Sequence, residues 1–233
     1  MKELINSPVF AILVTFLIFN ISSMIYKKFK LIFFNPVLLS ITLIIFILKV
    51  INLDYETYFK GARIISFFLG PSVVALGVPL YLQFEEIKKR GISIIISILS
   101  GSIVGISTAA LTAKLLGASK EVVASIAPKS VTTPIAMGIA EKIGGIPSLT
   151  AAIVIATGVL GAVIGPAFLK LSKIKDKVAV GLAIGSASHG IGTARAFEEG
   201  QLEGATSSLA ICLNGIATAI FTPLIFYIIY RFL

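Results

Sequence analysis

The stretch Ala127-Pro128-Lys129-Ser130-Val131-Thr132-Thr133-Pro134 interrupts an otherwise apolar segment, residues 121–140, with two prolines, a lysine and three hydroxyl side chains. Two prolines six residues apart cannot lie in one regular helix without freeing backbone carbonyls. A second polar stretch reads Gly185-Ser186-Ala187-Ser188-His189-Gly190-Ile191-Gly192-Thr193-Ala194-Arg195 and contains the only histidine. Its three glycines permit backbone conformations that a helix does not use. Both stretches therefore predict breaks in helical segments.

The surroundings of these breaks are strongly apolar. Of 233 residues, 57% are hydrophobic and 13% are charged, whereas soluble domains carry about 25% charged residues. The apolar segments are continuous and do not alternate, which favours membrane helices over a β-barrel. They cover residues 8–26, 35–51, 63–83, 91–113, 121–140, 146–169, 178–197 and 204–230. We therefore expect an all-α polytopic membrane protein with one transmembrane domain, residues 1–233, that has N-terminal helices in 8–90 and a final helix at 204–230.

The net charge of +9 comes from short basic clusters between the apolar segments. This distribution is typical of the cytoplasmic loops of a multi-pass protein of the cell inner membrane. No aromatic and basic reading motif accompanies the clusters, so nucleic acid is not an expected partner. The first segment lacks a basic region before it and a clear cleavage site, so we expect it to be a retained span.

The order of the clusters constrains the topology. If all are cytoplasmic, the lysines after segment 146–169 obey the rule only when residues 121–140 re-enter the membrane. A shift of 56 residues matches unit 91–140 with unit 147–196 and pairs the two polar stretches. The matched positions include Gly105 with Gly161, Ser130 with Ser186 and Gly144 with Gly200. These patterns predict an inverted repeat whose two interrupted or re-entrant segments meet near the bilayer midplane. Two kinked, fully crossing helices remain the alternative.

The first polar stretch has the chemistry of an anion site. A charged residue at membrane depth is a functional hypothesis by default, and Lys129 can neutralise an anionic substrate. Ser130, Thr132 and Thr133 can add hydrogen bonds, together with the amides at the start of a half-helix. In the alternative interpretation Lys129 extends to the headgroups and the hydroxyls cap helices.

The second polar stretch offers complementary groups. Arg195 can bind a carboxylate in bidentate fashion, and His189 can carry a proton near physiological pH, although a histidine in such a loop is also often only hydrogen-bonded. Ser188, Gly190 and Thr193 complete this set. Weaker candidates are Pro71, Ser72, Ser186 and Asn214, of which Asn214 either binds a ligand or joins helices. Glu198, Glu199 and Glu203 are expected to form a solvated loop.

Catalysis, metal binding and a cofactor are not expected. No buried carboxylate is evident to orient His189 for nucleophilic chemistry. Cys212 is the only cysteine and His189 the only histidine, and the two do not have metal-site spacing. The glycines of the second stretch do not follow a strand, so they do not form a dinucleotide fingerprint.

The stretches 128–136 and 187–196 resemble the signatures of the LrgB/CidB family, and Leu69-Gly70-Pro71 followed by Val78-Pro79-Leu80-Tyr81 is similar to a third family segment. The resemblance covers residues 10–232. It implies a bacterial inner-membrane protein paired with a small LrgA/CidA-type membrane partner. Bacterial members are described as antiholin-like modulators of murein hydrolase export and autolysis, plastid relatives as glycolate/glycerate carriers, and some bacterial pairs as pyruvate carriers.

The residues at the two breaks help to choose between these descriptions. An antiholin that acts by oligomerising needs apolar and small-residue contacts, whereas a carrier of small 2-hydroxy or 2-oxo acids needs cations and hydroxyls. We therefore expect a carrier for small monocarboxylates coupled to a proton, with Lys129 and Arg195 on the carboxylate and His189 as proton carrier. An antiholin-like regulator is the alternative. A homo-oligomer is expected if one part moves against a fixed scaffold.

Overall fold

The computed structural model describes residues 7–29, 34–68, 71 and 74–232. Backbone packing divides the chain into two compact units, Met1–Ala75 and Leu76–Leu233. The expectation of a single transmembrane domain stays a prediction.

Among its described residues, the first unit contains three helices, with α1 packed against the other two. They are α1 (Pro8–Phe29), α2 (Pro36–Val50) and α3 (Tyr55–Phe67). The side chain of Asn35 caps α2 by accepting the amides of residues 37 and 38, and the Asp54 side chain caps α3. Helices α1 and α3 approach closely at Gly61, and a hydrogen bond of 2.6 Å joins Thr15 Oγ1 to Tyr58 Oη.

The second unit contains the remaining helices and both polar stretches. They are α4 (Gly77–Leu82), α5 (Phe84–Lys88), α6 (Gly91–Leu115), α7 (Lys120–Ile126), α8 (Thr133–Lys142), α9 (Pro147–Leu171), α10 (Lys177–Glu199) and α11 (Gln201–Phe232). Within this unit α11 is the central helix, since it packs against α4, α6, α8 and α10. Gly181 and Gly185 of α10 allow the closest approach, because a Cβ at either position would collide with backbone atoms of α11.

Helices α6 and α9 match each other in length and position. Each has 25 residues, and the bounds of α6 shifted by 56 residues give those of α9. In both helices, the second residue after the helix has a backbone in the left-handed region. These residues are Gly117 (φ +81°) and Lys173 (φ +57°). In both, the amide of the following residue closes the last turn with a backbone hydrogen bond of 3.0 Å.

The helices agree with a membrane environment. Among the described residues, α1, α6, α9 and α11 are long and apolar enough to cross a bilayer, and α2 is a shorter apolar helix. Large apolar side chains such as Ile96, Leu160 and Ile216 are more than half exposed, as lipid-facing residues are. The expected all-helical membrane protein is therefore present. Residues 121–140 contain the break that their two prolines predict. In the expected segment 63–83, α3 ends at Phe67 and α4 begins at Gly77.

Candidate functional site

The first polar stretch separates α7 from α8. Helix α7 ends at Ile126 and α8 begins at Thr133, with Pro134 in its first turn, where a missing amide hydrogen is tolerated. A turn fills the gap, with the amide of Lys129 donating to the carbonyl of Ile126 over 3.0 Å. The two prolines thus act as the sequence predicts and leave residues 127–132 outside regular helix.

The second polar stretch breaks α10 at His189. This residue has φ +42° and ψ −137°, a conformation that costs about 1–3 kcal/mol for a residue with a side chain. Surrounding contacts hold it there. Nε2 lies 3.0 Å from the carbonyl oxygen of Val154 and donates to it, and Thr193 Oγ1 donates to the His189 carbonyl over 3.0 Å. The ring packs on Gly158, where a Cβ would lie 2.7 Å from Cε1.

Asn214 of α11 connects the two breaks. Its amide nitrogen donates to the carbonyl of Ser130 over 3.1 Å and to the carbonyl of Ser186 over 3.0 Å. Its amide oxygen accepts a hydrogen bond of 2.5 Å from Ser102 Oγ of α6. Ser130 and Ser186 are the positions that the 56-residue shift pairs, so one buried side chain bonds to equivalent points of both interrupted segments.

A central cavity of about 570 Å³ opens beside this junction. Helix α6 lines it with four small residues spaced by four positions, so that they share one face of the helix: Ser93, Ser97, Gly101 and Gly105. Helix α10 contributes Ala183, Ser186 and Ala187, and the first break contributes Lys129 and Ser130. Arg90 and Asp176 also line the cavity. This face of α6 was not predicted from the sequence as part of the site, although small residues spaced by four positions are a recognisable pattern in membrane helices.

The charges around the cavity are unevenly compensated. Arg90 and Asp176 form an ion pair of 2.5 Å, in which both side chains are 43% exposed. Asp176 also caps α10, and its hydrogen bonds from the Ala179 amide and from Arg90 lower the pKa of its carboxyl. Lys129 is partly buried, and its Nζ donates to Ser130 Oγ over 3.2 Å. Within the part of the chain that the structure describes, Lys129 forms no ion pair, so its charge faces the cavity without a carboxylate partner.

Several expected site residues lie elsewhere. Ser188, His189 and Thr193 are buried outside the cavity lining, with Thr193 Oγ1 2.7 Å from Ser207 Oγ of α11. Thr132, Thr133 and Gly190 do not line the cavity either. Pro71 belongs to the first unit, and Ser72 lies outside the described residues.

Arg195 lies near the end of α10 and is occupied by acidic partners. Its guanidinium donates to Glu198 and Glu199 over 2.6 Å each, and Glu199 also pairs with Lys170 at 3.2 Å. The expectation of a solvated loop is wrong for these acids, because Glu198 and Glu199 close α10 and Glu203 lies buried in the first turn of α11. Arg195 does not line the central cavity with Lys129, and the role of Arg195 in carboxylate binding stays a prediction.

The ends of each interrupted segment lie close together. Lys120 at the start of α7 and Lys142 at the end of α8 line one further cavity, together with Tyr230 near the end of α11. At the other segment, Glu199 at the end of α10 pairs with Lys170 of α9, and only five residues separate the end of α9 from the first residue of α10. The two pairs of ends therefore flank opposite ends of α11.

These features define a helical membrane protein with two interrupted segments beside a polar cavity. The chain belongs to the LrgB-like family, whose model matches residues 15–228, which confirms the resemblance seen in the sequence. It is 37% identical over 219 residues to the antiholin-like protein LrgB of Bacillus cereus, covering 94% of this chain and 95% of that protein.

Two Bacillus subtilis proteins are similarly related. The chain is 39% identical over 204 residues to the uncharacterized protein YxaC, covering 88% of this chain and 89% of YxaC. It is 36% identical over 213 residues to the uncharacterized protein YwbG, covering 91% of this chain and 95% of YwbG. No solved structure matches the chain. None of these names suggests a catalytic activity.

Proposed function

We propose that the second unit is an inverted repeat in which α7–α8 and α10 are re-entrant hairpins that approach each other from opposite membrane faces. The paired ends of each segment support this topology, since a crossing segment would have its ends on opposite faces. The matched helices α6 and α9 support the repeat. Asn214, bonded to both breaks from the middle of α11, supports a meeting of the two tips near the midplane.

We propose further that the protein binds and carries a small organic anion through the central cavity. The observation that carries this proposal is Lys129, a partly buried cation that faces the cavity and forms no ion pair with any described residue. A lone charge in such a place is unfavourable unless something balances it. A bound anion supplies that balance.

The size and lining of the cavity favour a small monocarboxylate. Its volume lies in the lower half of the range of about 300–1,000 Å³ that is typical of ligand sites. The hydroxyls of Ser93, Ser97 and Ser130 can bond to a hydroxyl or oxo group, while Ile94 and Leu182 give apolar contact. Pyruvate, lactate, glycolate and glycerate combine one carboxylate with such a group. Proton coupling through His189, assembly as a homodimer, a small LrgA/CidA-type partner and location in the inner membrane belong to the same proposal.

An antiholin-like regulator of murein hydrolase export and autolysis is the second candidate. The names of the Bacillus cereus relative and of its Bacillus mycoides counterpart favour this candidate, and they support it better than they support a specific carrier. In that case contacts with a membrane partner would matter more than Lys129 or any bound anion.

The test is uptake of labelled pyruvate, lactate, glycolate and glycerate into liposomes that hold the purified chain, with and without a pH gradient. We expect saturable uptake that falls at least about tenfold in Lys129→Gln, because the loss of a charged hydrogen-bonding partner is worth about 1.5–3 kcal/mol. The matched control is Lys175→Gln, an exposed lysine outside the cavity lining. Arg195→Ala decides whether the second cation also contacts the substrate.

Normal uptake by Lys129→Gln would refute the assignment of the anion site. No uptake by the wild-type chain, either alone or with a small membrane partner added, would refute the carrier and leave the antiholin-like candidate. A lysis phenotype that depends on the partner and not on Lys129 would also favour the antiholin-like candidate.

A further inference from the structure

A second cavity, the terminal cavity, lies at the end of the second unit where α11 finishes. It has a volume of about 520 Å³ and is lined by three cations and three aromatic rings: Lys120, Lys142, Arg231, Phe226, Tyr227 and Tyr230. These residues come from the start of α7, the end of α8 and the end of α11. The cavity has no residue in common with the central cavity.

The lining of the terminal cavity is positively charged. Its lining contains no acidic residue, and Lys120 and Lys142 form no ion pair with any acidic residue in the described ranges. Glu121 and Glu141, their neighbours in sequence, are exposed and outside the lining. A ligand with negative charge is therefore the complement of this surface.

Stabilisation of helix ends does not account for all of the cations in and around this cavity. Lys114, at the end of α6, already stabilises the end of α11. Its Nζ donates to the carbonyl of Ile229 over 2.9 Å and lies 4.5 Å from the centre of the Tyr230 ring. Lys120 is the first residue of α7, directly after the capping residue Ser119. At that end of a helix the backbone dipole favours anions, so it gives a cation no stabilisation.

The position of the cavity specifies where its anion comes from. Helices α6 and α11 are both long and apolar enough to cross the bilayer, and the cavity lies at the ends where both finish. Tyrosine and lysine at the end of a span are typical of the headgroup level. Leu115 and Leu116, directly after Lys114, are 85% and 82% exposed and offer apolar surface for an acyl chain.

We propose that the terminal cavity binds the phosphate headgroup of an anionic phospholipid, with Lys120 and Lys142 on the phosphate and Tyr230 beside the glycerol region. Basic cavities between membrane helices bind such headgroups through the same combination of charge and depth. The proposal depends only on the membrane-spanning helices and is independent of what the central cavity carries.

The experiment measures lipid binding to the purified chain in neutral detergent by native mass spectrometry. The probes are phosphatidylglycerol, phosphatidylcholine with the same acyl chains, and inorganic phosphate as a competitor. The double variant Lys120→Gln/Lys142→Gln is compared with Lys173→Gln/Lys175→Gln, which removes the same charge from exposed lysines after α9. We expect the double variant to bind phosphatidylglycerol about 25-fold more weakly, because each lysine contributes about fivefold near an anionic headgroup.

The control variant should bind phosphatidylglycerol as the wild type does, and wild-type binding should weaken as salt is raised. Equal binding by the two double variants would overturn the proposal, as would equal affinity of the wild type for phosphatidylcholine. Displacement of the lipid by millimolar inorganic phosphate would also overturn it, because the site would then take a soluble anion. The salt dependence uses the unmodified chain and stays decisive if the double variant is poorly folded.

Discussion

Replacing Asn214 with leucine should loosen both chain breaks at once. Asn214 is 2% exposed and makes three hydrogen bonds, two to the carbonyls of Ser130 and Ser186 and one from Ser102. Asn214→Leu keeps a similar side-chain volume and removes all three. Hydrogen bonds between membrane helices contribute about 0.6 kcal/mol on average and up to about 1.7 kcal/mol. The three bonds together therefore predict a loss of about 2 kcal/mol and set an upper limit of about 5 kcal/mol.

The free energy of unfolding is measured by titration with SDS in mixed micelles, followed by helical circular dichroism. Asn20→Leu is the matched control, because Asn20 is exposed and its amide donates within its own helix to the carbonyl of Phe16 over 2.8 Å. We expect the control to stay within about 0.5 kcal/mol of the wild type. Asn214→Asp should be at least as damaging as the leucine variant, since an ionised carboxylate cannot donate to two carbonyls.

Amide hydrogen exchange supplies the second readout. In Asn214→Leu, exchange should accelerate at residues 126–133 and at residues 185–192 together, because the same side chain holds both. An unfolding free energy within about 0.5 kcal/mol of the wild type would refute the bridging role. Faster exchange at only one of the two breaks would show that Asn214 serves that break alone.

Three further predictions concern the same unit. Gly161→Ala should destabilise the protein by about 1–3 kcal/mol, because the new Cβ would collide with Ser188. Gly105→Ala, at the repeat-related position, places its Cβ in open space and should leave the stability near that of the wild type. Equal thermal midpoints for the two variants would contradict this packing. His189→Gly should be about 1 kcal/mol more stable than His189→Ala, since glycine accepts the positive φ and both variants lose the ring, and the reverse order in thermal unfolding would argue against strain at this position. Asp176→Asn should be less stable than the wild type near neutral pH by at most about 1 kcal/mol, given the exposure of the ion pair. Because the folded-state pKa of Asp176 is lowered, this advantage of the wild type should shrink as the pH falls below about 4. A difference in melting temperature that does not decrease at all between about pH 5 and pH 2.5 would exclude the carboxylate as its source.

Much of the helical framework is predictable from local sequence. Continuous apolar segments require helices in lipid because each backbone group must be satisfied internally, and α1, α6, α9 and α11 follow from that requirement. Pro128 and Pro134 end one helix and begin another because proline removes an amide donor. The 56-residue spacing also anticipates the matched bounds of α6 and α9, since equivalent sequences with equivalent caps fold to equivalent lengths.

The composition of the candidate site is only partly predictable. Lys129, Ser130 and Ser186 line the central cavity as the polar stretches suggest. The sequence also made Arg195 attractive as a carboxylate ligand, yet a helical turn brings Glu198 and Glu199 next to it at i+3 and i+4. The sequence predicted a solvated loop for these acids because Gly200 follows them, and a glycine is typical of a loop. In the structure Gly200 only separates the end of α10 from the start of α11.

The sequence by itself therefore determined that this is a helical membrane protein with two breaks, because lipid, proline and glycine act on the backbone locally. Tertiary structure decided which polar groups meet. It placed the small residues of α6 beside the first break, where both line the central cavity. It also buried His189 with its ring bonded to the carbonyl of Val154, and it placed Asn214 between two carbonyls that are 56 residues apart in sequence. Such pairings depend on the rotation and depth of packed helices, and no local pattern of residues specifies those two quantities.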